Sequence, residues 1–227
     1  MATRLYLDAA ASATGISPTK DAAWEAEVSA GFARAVTATT KSGDALATVS
    51  HADSDVTDQD ICWRQYVSAA LTAGQTITGT QEILSVCRVS EVSSSNNMFF
   101  VLGIRVIAAD GTTVQKTVMP VTRDDTEAPS ALTGRKIVAA SAATNYTTVA
   151  GDRLVIEIGM GGDPGGFGAP DHDSSMRLGS NSGSDLTVDG ETNDYNPWVE
   201  LTDTLTFVSA AVSRGYAYIG PLALATP

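Results

Sequence analysis

MFFVLGIRVIAADGTTVQKTVMPV, residues 98–121, is the stretch whose reading decides the fold. Two runs of strand-forming residues flank Asp110-Gly111, and a two-residue Asp-Gly link is the strongest short-range signal for a β-hairpin with a type I′ turn. The first run is apolar at almost every position. Phe100, Leu102, Ile104 and Val106 fall on one face and Phe99, Val101 and Ile107 on the other, so both faces are expected to be covered. The second run alternates more openly, with Val114 and Val118 expected on one side and Gln115 and Thr117 on the other.

Working outward from this hairpin, further strands are expected over residues 3–7 (TRLYL), 32–40 (FARAVTATT), 60–71 (DICWRQYVSAAL), 153–160 (RLVIEIGM) and 198–208 (WVELTDTLTFV). Residues 75–92 read as one long strand or as two broken near Gly79, and 135–140 as a brief strand. In residues 60–71, Ile61, Trp63 and Val67 form one alternating set, and Cys62, Arg64 and Tyr66 the other. Residues 20–28 (KDAAWEAEV) suggest a short helix with Trp24 and Val28 on one side, stopped by Gly31. Residues 41–59 and 161–184 read as long loops. Asp185 to Val188 is expected to touch the sheet only briefly. About eight to ten strands, joined by turns and polar loops with no repeat, point to an all-β protein. The expected form is an antiparallel, jelly-roll-like β-sandwich of residues 1–208 with extended N- and C-terminal arms. An immunoglobulin-like sandwich fits less well, since the Cys-Trp-Cys spacing is absent. Residues 209–227 form a separate, apolar C-terminal arm carrying Tyr216, Tyr218, Ile219, Leu222 and Leu224.

The chain has 227 residues, 43% hydrophobic and only 18% charged, which suits one folded domain with a substantial core. Its formal charge of −12, from 26 acidic and 14 basic side chains, repels phosphate backbones, and no basic patch offsets it. Nucleic acid is therefore not an expected partner. No run approaches the ~20 apolar residues of a membrane span, and the first residues lack the pattern of a secretion signal, so synthesis and folding in the cytoplasm are expected. Cys62 and Cys87 are too few for a disulfide framework and read as small buried hydrophobes.

Catalytic chemistry is scarcely represented. GMGGDPGG from Gly159 follows a strand but has Pro164 where a dinucleotide loop needs its third glycine, and it reads as a flexible surface loop. GSNSG at 179–183 has Asn181 where a nucleophile elbow has serine. His51 and His172 are the available imidazoles, both in polar stretches without the context of a triad. Glu157 and Glu200 are explained as outward positions of half-buried strands. No enzyme activity and no cofactor is expected. Two acidic clusters have the oxygen ligands that calcium prefers: Asp53, Asp55 and Asp58 beside Asp60, and Asp163, Asp171 and Asp173 beside His172. Neither follows the EF-hand order, and solvated loop acids are the commoner explanation. Trp24, Trp63 and Trp198 are candidates for stacking on sugar, against burial as the alternative. Asn145-Tyr146-Thr147 matches a glycosylation acceptor, which means little without secretion.

Several pieces together carry a resemblance. They are LYL at 5–7, Ser17-Pro18 with Asp21 and Trp24-Glu25, Arg64-Gln65-Tyr66-Val67-Ser68 followed by GQTITGT, and GIRV with Asp110-Gly111. GDRLVIEIG from Gly151 and Asn196-Pro197-Trp198-Val199-Glu200 before TLTF complete the set. Over residues 3–208 the chain resembles a group of mostly uncharacterised proteins of tailed phages and prophages, regarded as virion structural components. The resemblance implies location in the virion, as a capsid decoration, head-associated or tail protein. It implies assembly with other virion proteins, copies of itself included, and it brings no catalytic residues. On that reading the N-terminal strand and residues 209–227 are arms that bind neighbouring subunits. The alternative is an adhesin-like sandwich that binds glycan through its loops with the help of calcium.

Overall fold

The computed structural model describes residues 2–10, 14–28, 33–52, 58–92, 97–162, 173–187 and 189–208. Among these the chain is all-β. Its strands are β1 (Thr3–Tyr6), β2 (Ala26–Glu27), β3 (Ala33–Thr37), β4 (Ala47–His51), β5 (Gln59–Ser68), β6 (Thr76–Ile77), β7 (Glu82–Glu91) and β8 (Met98–Ile107). They continue with β9 (Val114–Arg123), β10 (Thr133–Ala140), β11 (Tyr146–Thr147), β12 (Arg153–Gly162), β13 (Ser174–Leu178) and β14 (Trp198–Leu201).

Two sheets face each other as a β-sandwich. One runs β1-β14-β7, with β10 on the other side of β7; β13 and then β4 extend from β7 beside β14. The second runs β5-β12-β8-β9, with β2 and β3 pairing parallel to β5. Taking only the eight main strands in chain order, the first sheet has the order first-eighth-third-sixth and the second has second-seventh-fourth-fifth. The core lies between them. Phe100, Leu102, Ile104 and Val106 of β8 meet Leu5, Ile83, Val89, Met176 and Val199 of the opposing sheet in one buried cluster.

β8 is central in its sheet, between β12 and β9, as its two apolar faces require. Its second cover is the chain's own strap of residues 14–28. Trp24 packs on Cys62 and Val101 there, and Ile16 lies against the hairpin glycine Gly111.

Several expectations are corrected. The β8–β9 connection is longer than two residues: Ile107 pairs with Val114, Ala108 N–H donates to Thr113 C=O, and only Gly111 of the turn has positive φ, 77°. Asp110 organises this loop by accepting from the amides of Thr112 and Thr113, work that a two-residue link does not require. Register shifts along β9 reset its alternation, so Val118 and Met119 are both buried while Val114 stands exposed. A bulge opposite Ile158/Gly159 does the same in β5, which is why Ile61, Trp63 and Tyr66 all reach the core. Gly161 and Gly162, expected as loop, continue β12. A Cβ on Gly159 would lie 1.9 Å from the Ile61 carbonyl oxygen, so this glycine serves close packing at the bulge.

Residues 20–28 form a turn and the extended β2, with no helix, because Trp24 is drawn onto the sheet. The expected loops 41–59 and 161–184 contain β4 and β13, which pair with each other. The N-terminal strand is no arm: β1 pairs with β14, and Leu5 and Leu7 are fully buried. Residues 75–92 break into β6 and β7 at Gly79. Both cysteines are free and buried.

Candidate functional site

The strand register sorts the molecule into two ends. At one end lie the strand termini His51 and Gln59, Glu91 and Met98, Arg123 and Thr133, and Gly162 and Ser174. The four connections between those pairs therefore spring from the same end. One described member of each acidic stretch, Asp58 and Asp173, borders these connections, so two residues more than a hundred positions apart are brought to one rim. Asp58 and Asp173 are described there; Asp53, Asp55, Asp163, Asp171 and His172 lie outside the described residues.

The described acids of this rim are engaged with one another and with arginines. Arg123 binds Asp60 at 2.6 Å through Nε and also pairs with Asp58. Arg135 binds Asp124 at 3.1 Å. Burial raises the carboxyls of both Asp60 and Asp124 despite these arginines. Glu91, only 2% exposed, accepts from the Met98 amide at 3.3 Å. Burial, reinforced by the neighbouring Glu127 carboxylate, pushes Glu91 up to about 7. Across the inner face of the sheet, His51, Ser174 and Glu91 stand in register on β4, β13 and β7. Ser174 occupies the middle place, where a triad needs its histidine, and its buried hydroxyl has no hydrogen-bond partner. The Trp63 ring meets His51 edge-on with centroids 5.8 Å apart. Among the described residues no three His, Cys, Asp or Glu side chains converge to hold a metal ion.

The opposite end is built from hydrogen bonds that amides and hydroxyls donate to carboxylates. Asp203 accepts from the Thr78 amide at 2.7 Å, the Thr78 hydroxyl at 2.9 Å and the Gln81 amide group at 2.7 Å. Asp152 accepts from the Tyr146 hydroxyl at 2.6 Å and the Val149 amide at 2.7 Å. The sandwich closes here with Val208 N–H donating to Ala70 C=O at 2.6 Å. Beside Phe207 an apolar hollow of about 130 Å³ is lined by Leu5, Thr37, Ala38, Thr39 and Ala69. The expected arm residues Tyr216, Tyr218, Ile219, Leu222 and Leu224 lie outside the described residues.

Between the ends, the outer face of the second sheet carries a buried ionic cluster that the sequence reading missed. Glu157, 1% exposed, accepts from Arg105 at 2.8 Å, Gln65 at 2.8 Å, the Trp24 indole at 3.0 Å and the Asp21 amide at 3.1 Å. Glu157 does point outward, as expected, but the strap of residues 14–28 buries it. The available signal was Arg105 and Gln65 interrupting otherwise apolar strands, which calls for a buried partner.

None of the three tryptophans offers a ring to sugar: Trp24, Trp63 and Trp198 are at most 5% exposed. The Trp24 and Trp198 indoles donate to Glu157 and to Leu186 C=O. Glu200 pairs with Arg4 at 2.9 Å, and Arg4 lies 3.8 Å above the Trp198 ring.

No family model matches this chain, and no curated protein matches it. Among solved structures, the chain is similar to a CocE/NonD family hydrolase from Staphylococcus aureus, with 11% identity and a TM-score of 0.43 over 89% of this chain and 36% of that one. It is similar to an alpha-amino acid ester hydrolase with 10% identity and a TM-score of 0.46, over 90% of this chain and 36% of that one. A structure of infectious bursal disease virus, Gx strain, matches with 17% identity and a TM-score of 0.23, over 73% of this chain and 38% of that one. The chain thus spans about a third of the length of these neighbours, and likenesses this distant carry no functional argument.

Proposed function

We propose that this chain is a structural protein of a tailed-phage virion, a capsid-decorating, head-associated or tail component that works by subunit assembly. The observation that carries the reading is the completeness of the sandwich at residue 208. Leu205 and Phe207 are seated on the core and Val208 is tied to Ala70, so the apolar residues 209–227 are surplus to closing it. An apolar segment following a finished domain, in a chain of formal charge −12, suits an arm that binds other virion proteins, copies of itself included. We read the order of the eight main strands as a jelly roll, an architecture that recurs in viral capsid and lectin domains. The protein is made in the host cytoplasm and ends in the virion. Mass spectrometry of purified particles is expected to find it in a fixed copy number per particle; its absence from particles would overturn the reading.

A second reading is favoured by the position of Asp58 and Asp173 at one rim: a glycan-binding module whose loops hold calcium through these two together with Asp53, Asp55, Asp163 and Asp171. Sugar recognition then rests on polar loop groups, since the tryptophans are buried. A glycan array run with calcium and with chelator tests it. Binding that the chelator abolishes supports it, and no binding in either condition counts against it.

A further inference from the structure

The first sheet ends at β10, which pairs with β7 over its whole length and with no other strand among the described residues. Three of its outward backbone groups are already capped. Gly134 exchanges hydrogen bonds with residues 190 and 191, and Lys136 N–H donates to Asp189. Strand alternation then turns the N–H and C=O of Val138 and Ala140 away from β7 as well, and among the described residues no loop covers them in the same way. Val138 is 51% exposed, and a cleft of about 300 Å³ lies beside it, between residues 122–125 and 136–138. Uncapped, uncharged edge backbone beside an exposed valine is a template for strand pairing.

We propose that a second copy of this chain pairs antiparallel along this edge, about a two-fold axis through Val138, joining the two first sheets into one. The register argues for a second copy. Placing Val138 against Val138 sets two exposed valines side by side and puts Lys136 opposite Ala140, whose C=O then takes the Lys136 N–H from the Asp189 carboxylate that accepts it in the single chain. Ala140 pairs with Glu82 within its own sheet, so Lys136, Ala140 and Glu82 of the other copy form one row on one face. The short alanine lets the Lys136 ammonium reach toward that Glu82 carboxylate across about two strand spacings, ~10 Å between backbones. The two-fold axis makes the pair twice. The same surface is self-complementary in shape and in charge, which is what an isologous contact requires. This deepens the assembly reading by naming a partner, and it rests on that reading for its biological purpose only.

Sedimentation velocity of the full-length chain over a concentration series tests the pairing, with hydrogen exchange at residues 137–140 as a second readout. Val138→Pro removes an N–H that the native sheet does not use and an edge strand tolerates proline, so this variant is expected to fold and to dissociate at least tenfold more readily. Glu82→Lys alone and Lys136→Glu alone are each expected to weaken association, and the double exchange to restore it. A dimer that survives Val138→Pro with unprotected edge amides, or a chain monomeric at every concentration, would overturn the proposal. Because residues 209–227 are present throughout, such a failure leaves the arm reading standing. Loss of the chain from particles with the edge dimer intact would be the converse failure.

Discussion

The two ends of this sandwich are closed by different chemistry. At the end bearing the acidic stretches, carboxylates press on one another and on arginines: Glu91 against Glu127, Asp58 and Asp60 on Arg123, Asp124 on Arg135. At the end where the chain finishes its last described turn, Asp203 and Asp152 are each satisfied by amides and hydroxyls. The raised Glu91 carboxyl makes the charged end responsive to pH near neutrality; the other end is held by directed hydrogen bonds to its two carboxylates.

The largest expected effect comes from the strap that runs between the ends, from Ile16 beside Gly111 to Glu25, whose amide donates to Asp60 C=O at 3.1 Å. Glu157→Leu strands the buried Arg105 without its carboxylate and frees the strap. A loss of about 3–5 kcal/mol in chemical denaturation is expected, with exchange rising at both ends together. Loosening at one end only would show that the strap does not couple them.

Glu91→Gln separates the ends next. The folded Glu91 holds its proton up to about pH 7, whereas its ordinary value is 4.5. Between those values the folded chain binds more protons than the unfolded one, so Glu91 lowers stability as pH rises through that window. The glutamine variant is expected to be more stable than the parent at pH 8 by about 1–3 kcal/mol and equal to it below pH 4.5. An equal gain at all pH values would mean that the carboxyl is not protonated in the folded state.

Asp203→Ala, at the hydrogen-bonded end, is expected to cost about 1–2 kcal/mol, through the Thr78 amide and Gln81 side chain it leaves without partners. Chemical denaturation measures that cost; a variant as stable as the parent would show that these hydrogen bonds do not hold this end together.

Much of the fold was legible in the sequence. The apolar run of β8 announced a central strand covered on both faces, and the alternation of residues 153–160 a long sandwich strand. What escaped has physical causes. Bulges in β5 and β9 reset the period of two, so Tyr66 and Met119 could not be assigned a face by counting. β4 and β13 are short and rich in serine, and become strands only by pairing with each other and with β7. At the candidate rim, the acidic residues were visible one stretch at a time, but the placing of Asp58 and Asp173 at the same end follows from topology, which spacing does not encode. Glu91 was not singled out in the sequence, because its burial depends on the fold around it.

The central claim is that residues 209–227 serve assembly and not folding, and one comparison tests it directly. The chain ending at residue 208 and the full-length chain are each supplied to particles lacking the protein, and occupancy is measured alongside thermal unfolding. The account predicts a truncated chain that unfolds cooperatively within a few degrees of the parent and is missing from the particles. Full occupancy by the truncated chain, or its failure to fold, would contradict it.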